Sequence, residues 1–291
     1  MTAATPGGVL VSTGNPPAAG CRVFRVERTV RLGDADEGGR LRLDALARHL
    51  QDVATDDYND AGLRDDPVVW VVRRAAFRVQ RWPRYLERLA YATFCGGLGP
   101  QWAERRTSAA GDAGGRLETS VLWASLNGAS GRLAPIPARF AELWGVPPDF
   151  RPISARLLHT PPPADRESRP WELRTTDLDV LGHVNNAGHW EAVEDELARR
   201  LPGRIPVAAE CEYRLPIDLA DAVRVVSTLA GPSAAVADGI AGTAAPPARA
   251  GAETGLRPQP PPEPEALTLR VWLLSERGVH ASAVVVTEPA D

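Results

Sequence analysis

One order of elements is written twice along this chain, and that repetition limits the fold more than any other feature. Residues 23–31 alternate apolar and polar side chains as a strand does. Asp34-Ala-Asp-Glu-Gly-Gly follows as a turn, and residues 41–61 then place Leu43, Leu46, Ala47, Leu50, Val53 and Ala54 at helical spacing. Strand-like runs come next at residues 68–79, 89–96, 101–109 and 115–127, and a short helix closes the half at 136–143. The order then returns: a strand at 171–176, an Asp- and Gly-containing turn at 177–182, and a helix at 186–201. Strands at 207–215, 222–229, 267–275 and 279–287 complete it. One long helix per run of strands predicts an α+β duplication, each half an antiparallel sheet wrapped round a central helix.

Composition sets the outer limits. The 291 residues favour two domains of ordinary size, and the net charge of −4 offers no basic field for nucleic acid. No run of about 18 apolar residues is present to span a bilayer, and residues 1–20 lack the basic start and apolar block of a secretory signal. They read as a disordered leader. Cys21, Cys95 and Cys211 have neither disulfide-scaffold nor zinc-knuckle spacing, which fits a reducing cytoplasm. Residues 21–150 form the first domain, the proline-rich 151–170 the linker, and 171–291 the second domain. Within the latter, 231–265 are Ala, Gly and Pro with too little apolar surface to offset their ordering entropy, and read as a disordered insertion.

Residues 177–190, Asp-Leu-Asp-Val-Leu-Gly-His-Val-Asn-Asn-Ala-Gly-His-Trp, hold the densest chemistry. They crowd a carboxylate, a glycine turn, an imidazole and two carboxamides where a strand passes into a helix. Such a junction offers free backbone N–H groups and the positive end of a helix dipole. A carboxylate base beside an oxyanion-binding helix start can hydrolyse an activated acyl group. Asp179 is the candidate base or nucleophile, against the alternative of a residue that only shapes the turn. Gly182 permits the tight turn, where a side chain would crowd the approaching group. The backbone N–H groups around His183 and Val184, with those of Gly182 and Asn185, are oxyanion-hole candidates. His183 either orients Asp179 or is structural, and Asn185 and Asn186 either cap the helix or hold the attacking water. His189 reads as a packing histidine. Glu191, Glu194, Asp195 and Glu196 read as a solvated helix face, with the alternative that Glu194 or Asp195 points inward near the active site.

Asp179-Val-Leu-Gly-His-Val-Asn-Asn resembles the Asp-x-x-Gly-His-Val-Asn-Asn signature of the hotdog thioesterases. From about Val23 to Pro289 the chain resembles the acyl-ACP thioesterase family. The first half carries the pieces Leu50-Gln51-Asp52, Gly62-Leu63, Val69-Trp70-Val71-Val72-Arg73-Arg74, Trp82-Pro83, Arg105-Arg106, Ser120-Val-Leu-Trp123, Asn127 and Ile136-Pro137 in matching order. The resemblance implies a tandem (double) hotdog fold, and hydrolysis of the thioester of a fatty acyl chain on acyl carrier protein, in fatty acid biosynthesis. It implies an acyl pocket in the first half and chemistry in the second. Asp179 and His183 match the family's Asp-x-Asn-x-His pattern, but Leu181 stands at the Asn position. The Glu and Cys positions after Glu212-Tyr213-Arg214 fall on Pro216 and Ile217, so neither a catalytic Glu nor a Cys nucleophile carries over. What remains resembles simpler hotdog thioesterases that rely on an Asp and backbone amides.

Asp34 and Asp36 mark the equivalent turn of the first half, which reads as degenerate. Trp70, Trp82 and Trp123 are candidates for the acyl-pocket wall, and Glu210 for a second carboxylate at the substrate. An acidic carrier protein implies an arginine patch, drawn from Arg73, Arg74, Arg105, Arg106 and Arg132. No metal cluster or nucleotide fingerprint is apparent, so neither metal nor cofactor is expected. The halves are expected to pair within one chain, a homodimer remaining open. Acyl-CoA is the alternative substrate, and a non-catalytic acyl-binding protein the alternative class.

Overall fold

The computed structural model describes residues 17, 19–64, 68–145, 153–165, 167–230 and 266–290. Residues 1–16 and 231–265, expected to be leader and insertion, lie outside this set. The first half contains β1 (Val23–Thr29), α1 (Leu43–Asp60), β2 (Val68–Arg81), β3 (Arg88–Leu98), β4 (Trp102–Gly111), β5 (Arg116–Asn127) and α2 (Ala138–Leu143). The second contains β6 (Ser168–Pro170), α3 (Gly188–Arg200), β7 (Arg204–Tyr213), β8 (Arg224–Ala230), β9 (Leu267–Ser275) and β10 (Gly278–Pro289). A short 3-10 turn precedes each long helix, at Leu32–Asp34 and Thr175–Asp177.

All ten strands belong to one antiparallel sheet in the order β1-β3-β4-β5-β2-β7-β10-β9-β8-β6. The halves join at β2 and β7, which pair from Arg74 opposite Glu212 to Arg78 opposite Ala208. The expected strand over 171–176 is not formed. Three residues at the edge, Ser168–Pro170, pair with β8, inside the stretch expected to be linker. The chain then leaves the sheet for the 3-10 turn, because Asp177 draws its own backbone back by accepting from the Arg174 N–H at 2.7 Å.

α1 and α3 lie side by side on one face of this sheet, and a single core spans both halves. Leu43, Leu46 and Leu50 of α1 share it with Trp190, Val193 and Leu197 of α3 and with Phe77, Val121, Leu269 and Val285 of the strands. Phe77 and Trp190 meet across the boundary with ring centroids 4.7 Å apart. Every buried position of α3 has a buried equivalent in α1: His189, Trp190, Ala192, Val193, Glu196 and Leu197 match Leu46, Ala47, His49, Leu50, Val53 and Ala54. Arg48 and Glu191, equivalent in this alignment, face each other at 4.0 Å, as residues beside a pseudo-twofold axis must. The architecture is a double hotdog.

Helix α3 does not carry a solvated acidic face. Glu196 is buried between Arg169, Arg199 and Ser227, whose hydrogen bonds hold its carboxyl down at about 2 against the opposing effect of burial. Glu194 is also largely enclosed. Only Asp195 of that run is fully exposed.

Candidate active site

The two turns that lead into α1 and α3 are built alike. Asp34 and Asp177 accept from the backbone N–H of Arg31 and Arg174 at 2.8 and 2.7 Å. Gly39 and Gly182 both take left-handed backbone, φ +76° and +78°. Isolated bridges close the turns at Ala35–Leu41 and Leu178–Val184. On this scaffold Asp36 is equivalent to Asp179, Arg40 to His183, Leu43 to Asn186 and Gln51 to Glu194. Nothing lies within 4 Å of a Cβ added at Gly182, so the glycine answers to backbone conformation and not to crowding.

The first junction is sealed. Arg40 donates to Asp36 from Nε and from its backbone N–H, both at 2.8 Å, and reaches across to Glu194 of α3 at 3.0 Å. Its guanidinium lies 5.0 Å above the Trp82 ring. The Trp82 indole N–H donates to the Pro206 carbonyl at 2.6 Å. Trp82, expected at the acyl pocket, therefore belongs to this seal. Burial raises the Glu194 carboxyl to about 7 in spite of Arg40. Leu43, wholly buried, fills the place that Asn186 takes in the second half.

The second junction is differently furnished. Asp179 accepts from the Leu181 N–H at 2.9 Å and from the Asn185 carboxamide at 3.4 Å. Asn185 in turn caps the helix by accepting from the Ala187 N–H at 2.9 Å. Of the amides expected to form an oxyanion hole, three are spent on carbonyls, Gly182 on Asp179, Val184 on Ile217 and Asn185 on Asp177, while among the described residues the His183 N–H makes no hydrogen bond. The helix proper begins at Gly188, two residues later than expected, because Asn185 turns the chain first. Asn186 also keeps free donors: among the described residues neither its N–H nor its carboxamide makes a hydrogen bond, while its carbonyl accepts from the Tyr213 hydroxyl at 3.2 Å. His183 sits half-exposed, 3.4 Å from Asp218. His189 is buried and its Nδ1–H donates to the Asn185 carbonyl at 3.2 Å; burial lowers its pKa to about 4, so it is neutral.

Two cavities lie near, and only the smaller takes a residue of this junction, Asn186, into its wall. A small one of about 20 Å³ lies between the helices, its walls including Leu50, Gln51, Trp123, Asn186 and Tyr213. A larger one of about 200 Å³ lies in the first half, lined by Tyr58, Trp70, Cys95, Trp123, Phe140 and Trp144 among others. Trp123 is a wall of both. Asp179 and His183 line neither. Phe140 and Trp144 stack at 4.3 Å, so α2 closes the larger cavity with an aromatic plug. Sequence reasoning singled out Trp70 and Trp123 for such a wall but missed Phe140, Trp144, Tyr213 and Gln51. Gln51 was discoverable as the residue that the repeat sets opposite Glu194.

Glu210 does not reach either cavity. Along β7 the residues Ala209, Cys211 and Tyr213 join the core under the helices, so Glu210 and Glu212 emerge on the other face of the sheet. There the segment 153–165 covers them. His159 Nε2 is 3.1 Å from Glu210, and its Nδ1 is 3.0 Å from the Ser282 carbonyl. Glu212 accepts from the backbone of Leu158 and His159 and from Arg214. His159, Glu210 and Glu212 hold potential ligand atoms within 4.8 Å of one another, the one such group among the described residues. Each of the three is hydrogen-bonded, so the cluster reads as a latch for the linker. Cys211 is inert, since burial pushes its thiol far above the ordinary value. Arg105 and Arg106, expected to receive a carrier protein, are instead buried in pairs with Asp57 at 2.6 Å and Glu104 at 3.1 Å.

Sequence comparisons agree with this architecture. A relative in Mycobacterium tuberculosis (strain H37Rv), an uncharacterized protein, is 31% identical over 188 residues, which is 63% of this chain and 74% of that one. The crystal structure of a Lactobacillus plantarum protein described as an oleoyl thioesterase superposes with a TM-score of 0.72 at 18% identity, covering 95% of this chain and all (100%) of that one. The 12:0-ACP thioesterase of Umbellularia californica gives 0.66 at 18% identity, over 92% and 94% of the two chains. At these identities the structural matches establish the double hotdog fold alone. Sequence models of the acyl-ACP thioesterase N-terminal and C-terminal domains match residues 21–144 and 161–245, so this chain belongs to the acyl-ACP thioesterase family.

Proposed function

We propose that the protein hydrolyses the thioester of a fatty acyl chain carried on acyl carrier protein, at the second turn–helix junction. The contrast between the two equivalent junctions carries this reading. One is closed by an Arg40–Glu194 pair, while the other has a cavity, a free asparagine and a path of aromatic walls. The thioester is placed at Asn186 and the acyl tail runs past Trp123 into the cavity walled by Trp70, Phe140 and Trp144. An apolar, aromatic-lined space suits a hydrocarbon chain and excludes the carrier's polar arm.

In this reading water adds to the thioester carbon, and the carbonyl π electrons move onto oxygen. The Asn186 backbone N–H stabilises that oxyanion. As the oxyanion collapses, the C–S bond breaks and the carrier's thiolate leaves, to be protonated by the proton that the water gave up. Asp179 is the base that takes that proton. Its carboxylate accepts two hydrogen bonds in the turn, which leaves lone pairs for a water. The family assignment supports the reaction class; the same contacts equally describe a residue that only shapes its turn.

The test is hydrolysis by the purified protein over acyl chains of several lengths, on acyl carrier protein and on coenzyme A, with Asp179→Asn alongside. The reading expects faster turnover on the carrier protein and a loss of about 10²–10⁴ in kcat for Asp179→Asn. Preference for acyl-CoA would move the substrate to the free thioester. Wild-type rates in Asp179→Asn would reduce Asp179 to a turn residue. No turnover of any thioester would overturn the function.

A further inference from the structure

The second junction takes one wall from the other half of the chain. Gln51 lies on α1, yet it lines the small cavity together with Asn186 and Tyr213 of the second half. The repeat explains why it is there. Arg40 of the first turn meets Glu194 of the opposite helix at 3.0 Å. Gln51 is the residue equivalent to Glu194, so the pseudo-twofold brings it to the second turn as Glu194 is brought to the first. The chemistry then differs. In place of an ion pair the second junction has a neutral carboxamide, and among the described residues it makes no hydrogen bond. A half-buried amide without a partner, beside the free Asn186 amide and surrounded by Leu50, Val72, Phe77 and Trp123, is a donor held ready in a water-poor space.

We propose that Gln51 is a catalytic residue of this site, contributed by the half that carries the acyl cavity. Its carboxamide N–H donates to the thioester carbonyl oxygen, alongside the Asn186 backbone N–H. The proposal rests on the thioesterase reading above. As water adds and the C=O electrons move onto oxygen, both donors strengthen. As the C–S bond breaks and the acid product forms, the oxygen returns to a carbonyl and the donors relax. With the amides of Gly182, Val184 and Asn185 spent on backbone carbonyls, the side chain adds a donor to the few that the turn leaves free. Both halves are therefore needed for one site.

The experiment compares wild type, Gln51→Met and Gln51→Glu on the acyl-ACP that wild type hydrolyses fastest, with melting temperature and far-UV circular dichroism for each. Met fills the same space without a donor; Glu keeps the length but replaces the donor with an acceptor. The proposal expects kcat to fall about 10²-fold in folded Gln51→Met with KM changed less than about threefold, and Gln51→Glu to fall at least as far. A donor used only in the transition state moves kcat in this way; a packing role would not. If either variant folds and keeps kcat within about threefold of wild type, Gln51 is a packing residue, while the thioesterase reading stands. If wild type hydrolyses no acyl thioester, the parent reading fails and takes the role of Gln51 with it.

Discussion

Replacing Glu194 by Gln probes the sealed junction, and the structure fixes both the sign and the size of the effect. Burial of Glu194 raises its carboxyl from 4.5 to about 7, the nearby Arg40 only partly opposing this. The folded protein therefore holds this proton between pH 4.5 and 7 while the unfolded chain releases it. An acid raised in this way contributes stability that is fully present below 4.5 and is lost as pH climbs to 7. A displacement of that size is worth about 3 kcal/mol. Glutamine keeps the neutral shape and an oxygen to accept from Arg40, but never ionises. Glu194→Gln should match wild type near pH 4.5 and exceed it by up to about 3 kcal/mol at pH 8. At about 2–4 °C per kcal/mol, that is a melting difference of up to about 6–12 °C. Differential scanning calorimetry at both pH values checks it. A Gln variant less stable than wild type at pH 8 would mean that an ionised Glu194 gains more from Arg40 than it loses by burial, and the reasoning would fail.

Two further substitutions test other parts of the scaffold. Asp57 is buried and accepts from Arg22 at 2.8 Å and Arg105 at 2.6 Å; Asp57→Ala leaves Arg22 with Asp60 but strips Arg105 of its carboxylate, and should cost about 3 kcal/mol in urea unfolding. A loss under 1 kcal/mol would show that Arg105 reaches water when released. Gly182→Ala places a Cβ in open space on left-handed backbone, so it should cost about 1–2 kcal/mol and leave kcat within a few-fold of wild type. Complete loss of activity with normal stability would instead restore the reading in which a side chain there blocks the thioester.

The duplication was legible because its signals are local. Leu43, Leu46 and Leu50 in one helix and Trp190, Val193 and Leu197 in the other declare their buried stripes by spacing alone. The aromatic wall was half legible: Trp70 and Trp123 stood out as large strand residues, but so did Trp82, and only the fold separates the cavity from the Arg40 stack. Glu210 shows the limit of strand parity. Its alternation with Cys211 was plain, yet which of the two faces the helices depends on how β7 joins the sheet. Residues 171–176 carry strand composition but end at the sheet edge, where Asp177 offers the backbone a competing bond. Three of the oxyanion candidates were misplaced for a similar reason. Val184 and Asn185 look free at a helix start, and their carbonyl partners, Ile217 and Asp177, become visible only once the turn closes. Gln51 could be found only through the repeat, because its neighbour in space belongs to the other half.

The account's central claim is that chemistry occurs at the second junction with the acyl tail in the first half. A crystal structure with a hydrolysis-inert acyl-pantetheine, an amide in place of the thioester, tests it most directly. The account predicts the amide carbonyl within hydrogen-bond distance of the Asn186 N–H, and the hydrocarbon passing Trp123 to end against Phe140 and Trp144. A carbonyl lodged beside Arg40 and Asp36, or a tail that leaves the Trp123 cavity empty, would contradict it.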